Sequence, residues 1–221
     1  MEYTFPAHVT NFVLLGEAGC GKSELAVNLA LALRKTGRPV TLFDLDQTKP
    51  LFRTRELSDT LEKEGVTLVY DEQFADAPTT SGGVRTALKD ENRFAVLDVG
   101  GDHIGARAIG GYAPLLNRDD TALYYILNPF RPWCGTADHA GLILSEILTV
   151  SHLRPERIRY VGNPNLGGTT TAADVISGYQ ALTDMVETLD FLAVDEQLLP
   201  ETADKLPLPL LPLRRYLTYP W

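Results

Sequence analysis

The residues best suited to chemistry are Gly16-Glu17-Ala18-Gly19-Cys20-Gly21-Lys22-Ser23, a full match to G-x-x-x-x-G-K-[ST]. Phosphate oxygens are held by converging backbone N–H groups, and glycine alone leaves room for that approach while turning tightly. A helix starting near Lys22 would add the positive end of its dipole. Lys22 is expected to reach the β- and γ-phosphates, the Ser23 hydroxyl to bind Mg²⁺, and residues 16–24, Glu24 included, to border the nucleotide. Two acidic stretches complete the set. Asp44-Leu45-Asp46 closes the apolar run 39–43, and Asp98 closes 94–97 ahead of Val99-Gly100-Gly101-Asp102. An apolar strand ending in a carboxylate suits a Walker B position, where Asp98 would hold Mg²⁺ or its water shell. The two glycines would let the following backbone approach the γ-phosphate and withdraw when it leaves.

These residues need a scaffold that gathers them at one end. Asn11-Phe12-Val13-Leu14-Leu15 reads as a buried strand, and Leu25, Leu29 and Leu33 recur every four residues on the helix behind it. Further strands are predicted at 39–43, 66–70, 94–98, 122–127, 159–162 and 191–194. Helices are predicted near 56–64, 106–116, 136–151 and 171–182. Strands alternating with helices predict an α/β protein with a mostly parallel sheet, whose ligands bind at the strands' carboxyl ends. Both Asp44 and Asp46 then arrive on the phosphate side. Residues 47–55 and 76–83 read as loops, and 206–221 as a tail rich in Pro and Leu. Asn128-Pro129-Phe130-Arg131-Pro132-Trp133 reads equally well as a substrate contact or as packing against the next helix.

The chain has 221 residues, a size for one domain spanning 1–221, and is 44% hydrophobic and 22% charged, which are globular values. A net charge of −9 argues against broad nucleic-acid or anionic-membrane binding. No apolar run approaches a membrane span and the N-terminus lacks a secretory pattern, so a cytoplasmic location is expected. Cys20 and Cys134 make neither a disulfide framework nor a zinc site, although Cys20 at a helix start could be a reactive thiol. His8, His103, His139 and His152 lack metal-ligand spacing.

From its phosphate loop, Asp-x-Asp, Asp-x-Gly-Gly and the later Asn163, the chain resembles the MinD/ParA branch of the P-loop NTPases (the SIMIBI class) over about residues 11–208. The resemblance implies a three-layer α/β sandwich, with ATP and Mg²⁺ as cofactors. It implies that Asp46 orients the attacking water, so Asp46 and Lys22 are the expected catalytic residues and Ser23, Asp46 and Asp98 the expected metal-side residues. It also implies that Asn163 reads the base and that Val194-Asp195-Glu196 borders it. In one respect the chain departs. The family's lysine after the first glycine, which reaches a partner's nucleotide across a dimer, is replaced by Glu17. Neither a basic membrane-targeting helix nor a basic DNA-binding surface is evident.

Three functions are compatible with these residues. One is a slow ATPase switching a partner protein or a second copy of the chain. Another is a small-molecule kinase or ATP-dependent ligase, and the third is a nucleotide-binding module without turnover. Asn163 can pair with adenine through its amide, and no Asn-Lys-x-Asp acid follows to favour guanine.

Overall fold

The computed structural model describes residues 1–46, 57–70, 83–132 and 135–217. The predicted loops at 47–55 and 76–82, together with Arg53, Arg55, Trp133, Cys134 and Trp221, lie outside the described residues.

Strands β1 (Asn11–Leu15), β2 (Val40–Leu45), β3 (Val66–Tyr70), β4 (Phe94–Val99), β5 (Thr121–Leu127), β6 (Ile158–Gly162), β7 (Phe191–Asp195) and β8 (Leu210–Leu213) form one sheet in the order β3-β2-β4-β1-β5-β6-β7-β8. Every pairing is parallel. The helices are α1 (Lys22–Arg34), α2 (Ser58–Lys63), α3 (Val84–Ala87), α4 (His103–Arg107), α5 (Ala113–Leu116), α6 (Ala137–Ser151), α7 (Ala172–Met185) and α8 (Leu199–Thr202).

Side-chain alternation along β1 builds a core on each face of the sheet. Phe12 and Leu14 join Leu25, Leu29 and Leu33 of α1. Val13 and Leu15 join Leu144 and Ile147 of α6 with Val175 and Leu182 of α7. This is the expected three-layer α/β architecture. The chain runs from β1 outward to β2 and β3, returns through β4 and then continues to β5 on the other side. The carboxyl end of β1 therefore lies where the winding reverses, which is where open parallel sheets bind ligands.

Two elements differ from the sequence expectation. The helix predicted over 106–116 is broken into α4, a single tight turn at Gly110–Tyr112, and α5. Gly110 and Gly111 favour helix weakly, and Pro114 suits the first turn of a new helix better than the interior of an old one. The tail conceals β8, whose Pro212 belongs to a strand that pairs along its length only with β7. An outer strand tolerates a residue that cannot donate on its free side. At one end of β8, Leu210 also bonds the N-terminus, accepting from Tyr3 N and donating to Met1 O.

Candidate functional site: a phosphate loop and a strapped nucleoside end

The loop between β1 and α1 turns through Gly16, Gly19 and Gly21 at φ of 134°, 81° and 101°, a left-handed region that side chains with a Cβ rarely enter. Gly21 stands at the N-cap of α1, where no side chain bonds the first-turn N–H groups. By contrast α6 and α7 are capped by the Thr136 and Thr171 hydroxyls. The start of α1 is thus left to accept an anion. Lys22, buried at 4% exposure, donates from Nζ to Gly16 O at 2.8 Å and to Glu17 O at 2.9 Å. Two of its N–H bonds draw the loop into a ring around the ammonium. Cys20 is fully buried, a setting for packing rather than reaction with solvent oxidants. The Glu17 carboxylate meets His139 Nε2 of α6 at 3.2 Å, so it turns toward a neighbouring helix.

On the β2/β4 side the acids converge as expected. Asp44 and Asp98 are register neighbours, and Asp98 is fully buried. Asp46 follows β2, its N–H donating to Asp44 Oδ1 at 3.2 Å, and its carboxylate lies against Gly100. The Gly100-Gly101 segment sits on the phosphate loop. A Cβ on Gly101 would fall 2.5 Å from Ala18 N, so only glycine permits this contact of backbone on backbone. Gly105 in α4 approaches Gly100 just as closely, and the Asp102 carboxylate caps that helix through Gly105 N. Ser23, next to Lys22 in the first turn of α1, is buried at 8% exposure. Among the described residues no three His, Cys, Asp or Glu side chains converge as a metal cage. The donors present are all oxygens, which suits a hard cation completed by phosphate oxygens and water.

The opposite side, beyond β5, is assembled from distant parts of the chain. Asn163, at the end of β6, donates from Nδ2 to Cys20 O at 2.8 Å and lies where a Gly21 Cβ would be. Its Oδ1 is buried with no partner among the described residues. Asp195, at the end of β7, accepts from Gln197 N at 3.0 Å and pairs with Arg215 Nε at 3.4 Å. Glu24, expected among the residues bordering the nucleotide, turns its carboxylate to the tail. Its Oε1 accepts from Tyr216 N at 2.7 Å and its Oε2 from Leu217 N at 3.2 Å. Burial pushes the Glu24 carboxyl above its ordinary value, while the two tail N–H groups and the nearby Arg215 charge pull it down. One turn on, Asn28 exchanges two bonds with Arg214, 2.8 Å to its O and 2.7 Å from its N. The tail is therefore a strap tied to α1.

In the 128–132 loop the first residues pack, against the loop after β6 and α7 rather than the next helix, while Arg131 and Pro132 are exposed. Asn128 is buried and donates to Asn165 O at 2.9 Å, and Phe130 lies against Gly178 of α7. A separate open cleft of about 750 Å³, edged by His8, Arg38, Arg118 and Arg154, lies at the amino ends of the strands, away from every motif residue. The structure thus gathers Gly16 to Ser23, Asp44, Asp46, Asp98 and Asn163 at one end of the sheet. Sequence reading missed Asn28, Gly105, Arg215 and the strap. Only the placement of a helix glycine and of polar residues on the inner face of α1 hinted at them.

The sequence pattern of the family described as CobQ/CobB/MinD/ParA nucleotide binding domain matches residues 12–202. No curated protein sequence matches the chain significantly. Among solved structures, it resembles the signal recognition particle receptor FtsY of Elizabethkingia anophelis in complex with GDP. That match has a TM-score of 0.52 and 15% identity, covering 89% of this chain and 59% of that one. It also resembles the cell division protein FtsY of Thermotoga maritima (TM-score 0.54, 15% identity, 89% of this chain and 65% of that one). A third is the signal recognition particle 54 kDa protein of Aeropyrum pernix K1 with GDP (0.51, 16%, 81% and 41%). The chain thus spans under two thirds of these proteins, and at such identities the likeness is one of fold.

Proposed function

The chain belongs to the CobQ/CobB/MinD/ParA nucleotide-binding family, and from that premise we propose that it is a slow, Mg²⁺-dependent ATPase whose nucleotide state switches a protein-binding surface. The observation that carries this reading is the seating of Gly101 on the Glu17–Ala18 backbone, with Asp46 against Gly100. A γ-phosphate entering this loop meets both segments at once. Its arrival or loss then moves the Gly100-Gly101 segment, and with it α4, which Gly105 holds against Gly100.

Lys22 and the uncapped start of α1 would hold the phosphates, and Ser23 with Asp98 would hold a Mg²⁺ that screens phosphate charge. Asp46 positions the attacking water by accepting its hydrogen bond. Glu17 supplies no cation to the transferring phosphoryl group, which keeps intrinsic hydrolysis slow and leaves dimerisation through a lysine at this position unavailable. A protein partner or a second copy of the chain is the target of the switch, and the net charge of −9 disfavours nucleic acid. Among the described residues no helix is long and apolar enough to cross a membrane, consistent with action in the cytoplasm.

Adenine is the favoured base. The amide of Asn163 is oriented by its bond to Cys20 O, and no Asn-Lys-x-Asp acid follows it to favour guanine. The GDP in two structural neighbours belongs to proteins about 15% identical to this chain and bears on fold alone.

Phosphate release from Mg·ATP without any added acceptor tests the proposal. Slow turnover is expected in the wild type and none in Asp46→Ala, with ATP affinity kept within a few-fold. Turnover that persists in Asp46→Ala, or that requires an acceptor molecule, refutes it.

A further inference from the structure

We infer that Arg215 governs purine choice by occupying the carboxylate of Asp195. The inference rests on the adenine nucleoside lying along the carboxyl ends of β5, β6 and β7, as proposed above. The placement has a physical basis. Phosphates seated on α1 leave two directions for the nucleoside, and the β2/β4 side is taken by Asp44, Asp46 and Asp98. A carboxylate-rich wall suits metal and water, whereas the β6/β7 side offers amide, acid and guanidinium groups.

On that side Asp195 is the carboxylate at the end of a sheet strand, and it is 14% exposed at the side chain. Guanine presents N1–H and an exocyclic amine side by side, and a carboxylate accepts both. Adenine presents an amine beside a bare ring nitrogen, whose lone pair a carboxylate repels. An open Asp195 would therefore favour guanine. It is not open. Oδ1 accepts from Gln197 N at 3.0 Å, and Oδ2 faces Arg215 Nε at 3.4 Å.

Arg215 is itself held in place. Its guanidinium lies against Gly168 in the loop after β6, where a Cβ would fall 2.8 Å from Nη1. It thus spans the loops after both strands. The backbone on either side is fixed to α1, Arg214 by Asn28 and Tyr216 with Leu217 by Glu24. The strap delivers a cation to the acid that closes β7, and Arg215 is a positioning residue acting on the base through Asp195.

The test is competition titration of ADP against GDP in Mg²⁺, using the full chain. Diphosphates keep turnover out of the measurement. Wild type is expected to favour ADP. Arg215→Met should move the ADP:GDP affinity ratio toward GDP by about tenfold, the scale of a charge-assisted hydrogen bond gained by guanine. Arg215→Lys, which keeps the cation, should stay near the wild-type ratio, and Arg215→Met with Asp195→Asn should return to it. An unchanged ratio in Arg215→Met, or an equal loss of both nucleotides, overturns the inference. A wild type that prefers GDP overturns instead the adenine reading on which it rests, so the two failures are distinguishable.

Discussion

The bonds that close the phosphate loop on itself are local: Lys22 reaches Gly16 and Glu17, six and five residues back along the chain. The bonds that tie the end of β6 and the tail to that loop and to α1 are remote. Cys20 meets Asn163 across 143 positions, Asn28 meets Arg214 across 186, and Glu24 meets Tyr216 and Leu217 across 192 and 193. Both ends rest on α1, yet one is a property of a short segment and the other of the whole fold. Local bonds form with little loop-closure cost and are shared by any chain carrying the motif. Remote ones carry this chain's individuality. The phosphate end therefore carries the motif of nucleotide binding, and the strapped end carries the groups that the proposal above assigns to the choice of base.

Substitution at Glu24 should separate the two ends most sharply. In Glu24→Ala the N–H groups of Tyr216 and Leu217 lose their acceptor while the phosphate loop keeps every residue of its motif. At one to three kcal/mol for each orphaned donor, the expected loss is about 3 kcal/mol of unfolding free energy, read by urea denaturation. A loss below about 1 kcal/mol would show that the strap does not hold the nucleoside end. Lys22→Ala comes next. It should weaken ATP binding by tenfold or more in calorimetry, about 1.4 kcal/mol, by removing a buried ammonium from the phosphates. Unchanged affinity would remove the phosphate loop from the site.

The smallest effect is a pH dependence. Burial raises the Glu24 carboxyl above 4.5, so the folded chain holds that proton more tightly than the unfolded chain. Stability from this group is fully present below pH 4.5 and is lost as pH rises through the folded value. Relative to Glu24→Gln, the wild type should lose ground between pH 4.5 and neutrality in paired denaturation curves. An unchanged difference between the two would show that the carboxyl titrates alike in both states.

What was legible from the sequence follows the same division. The glycine spacing, the apolar strands ending in Asp44-Leu45-Asp46 and Asp98, and the four-residue recurrence of Leu25, Leu29 and Leu33 each encode local geometry, and the structure places them accordingly. The partners of Glu24 were not legible, because its neighbours in sequence are phosphate-loop residues, whereas its carboxylate's neighbours in space are tail residues. The strand β8 was hidden for a related reason. Pro207, Pro209 and Pro212 mark irregular chain by propensity, and only pairing with β7 on one side makes a strand there acceptable. Gly105 carried no signal, since its role is to let α4 pass close to the Gly100 backbone, far along the chain from the loop that Gly101 meets.

The strap also orders events in time. During synthesis the phosphate loop and α1 emerge early, and Asn28 can already donate to Glu24 O within the helix. The Glu24 carboxylate and Asn28 Oδ1 meet their tail donors only once residues 214–217 have been made. The nascent chain can wind the loop while lacking the tail that straps α1. A chain truncated before Arg214 would carry an intact motif on an α1 that nothing straps.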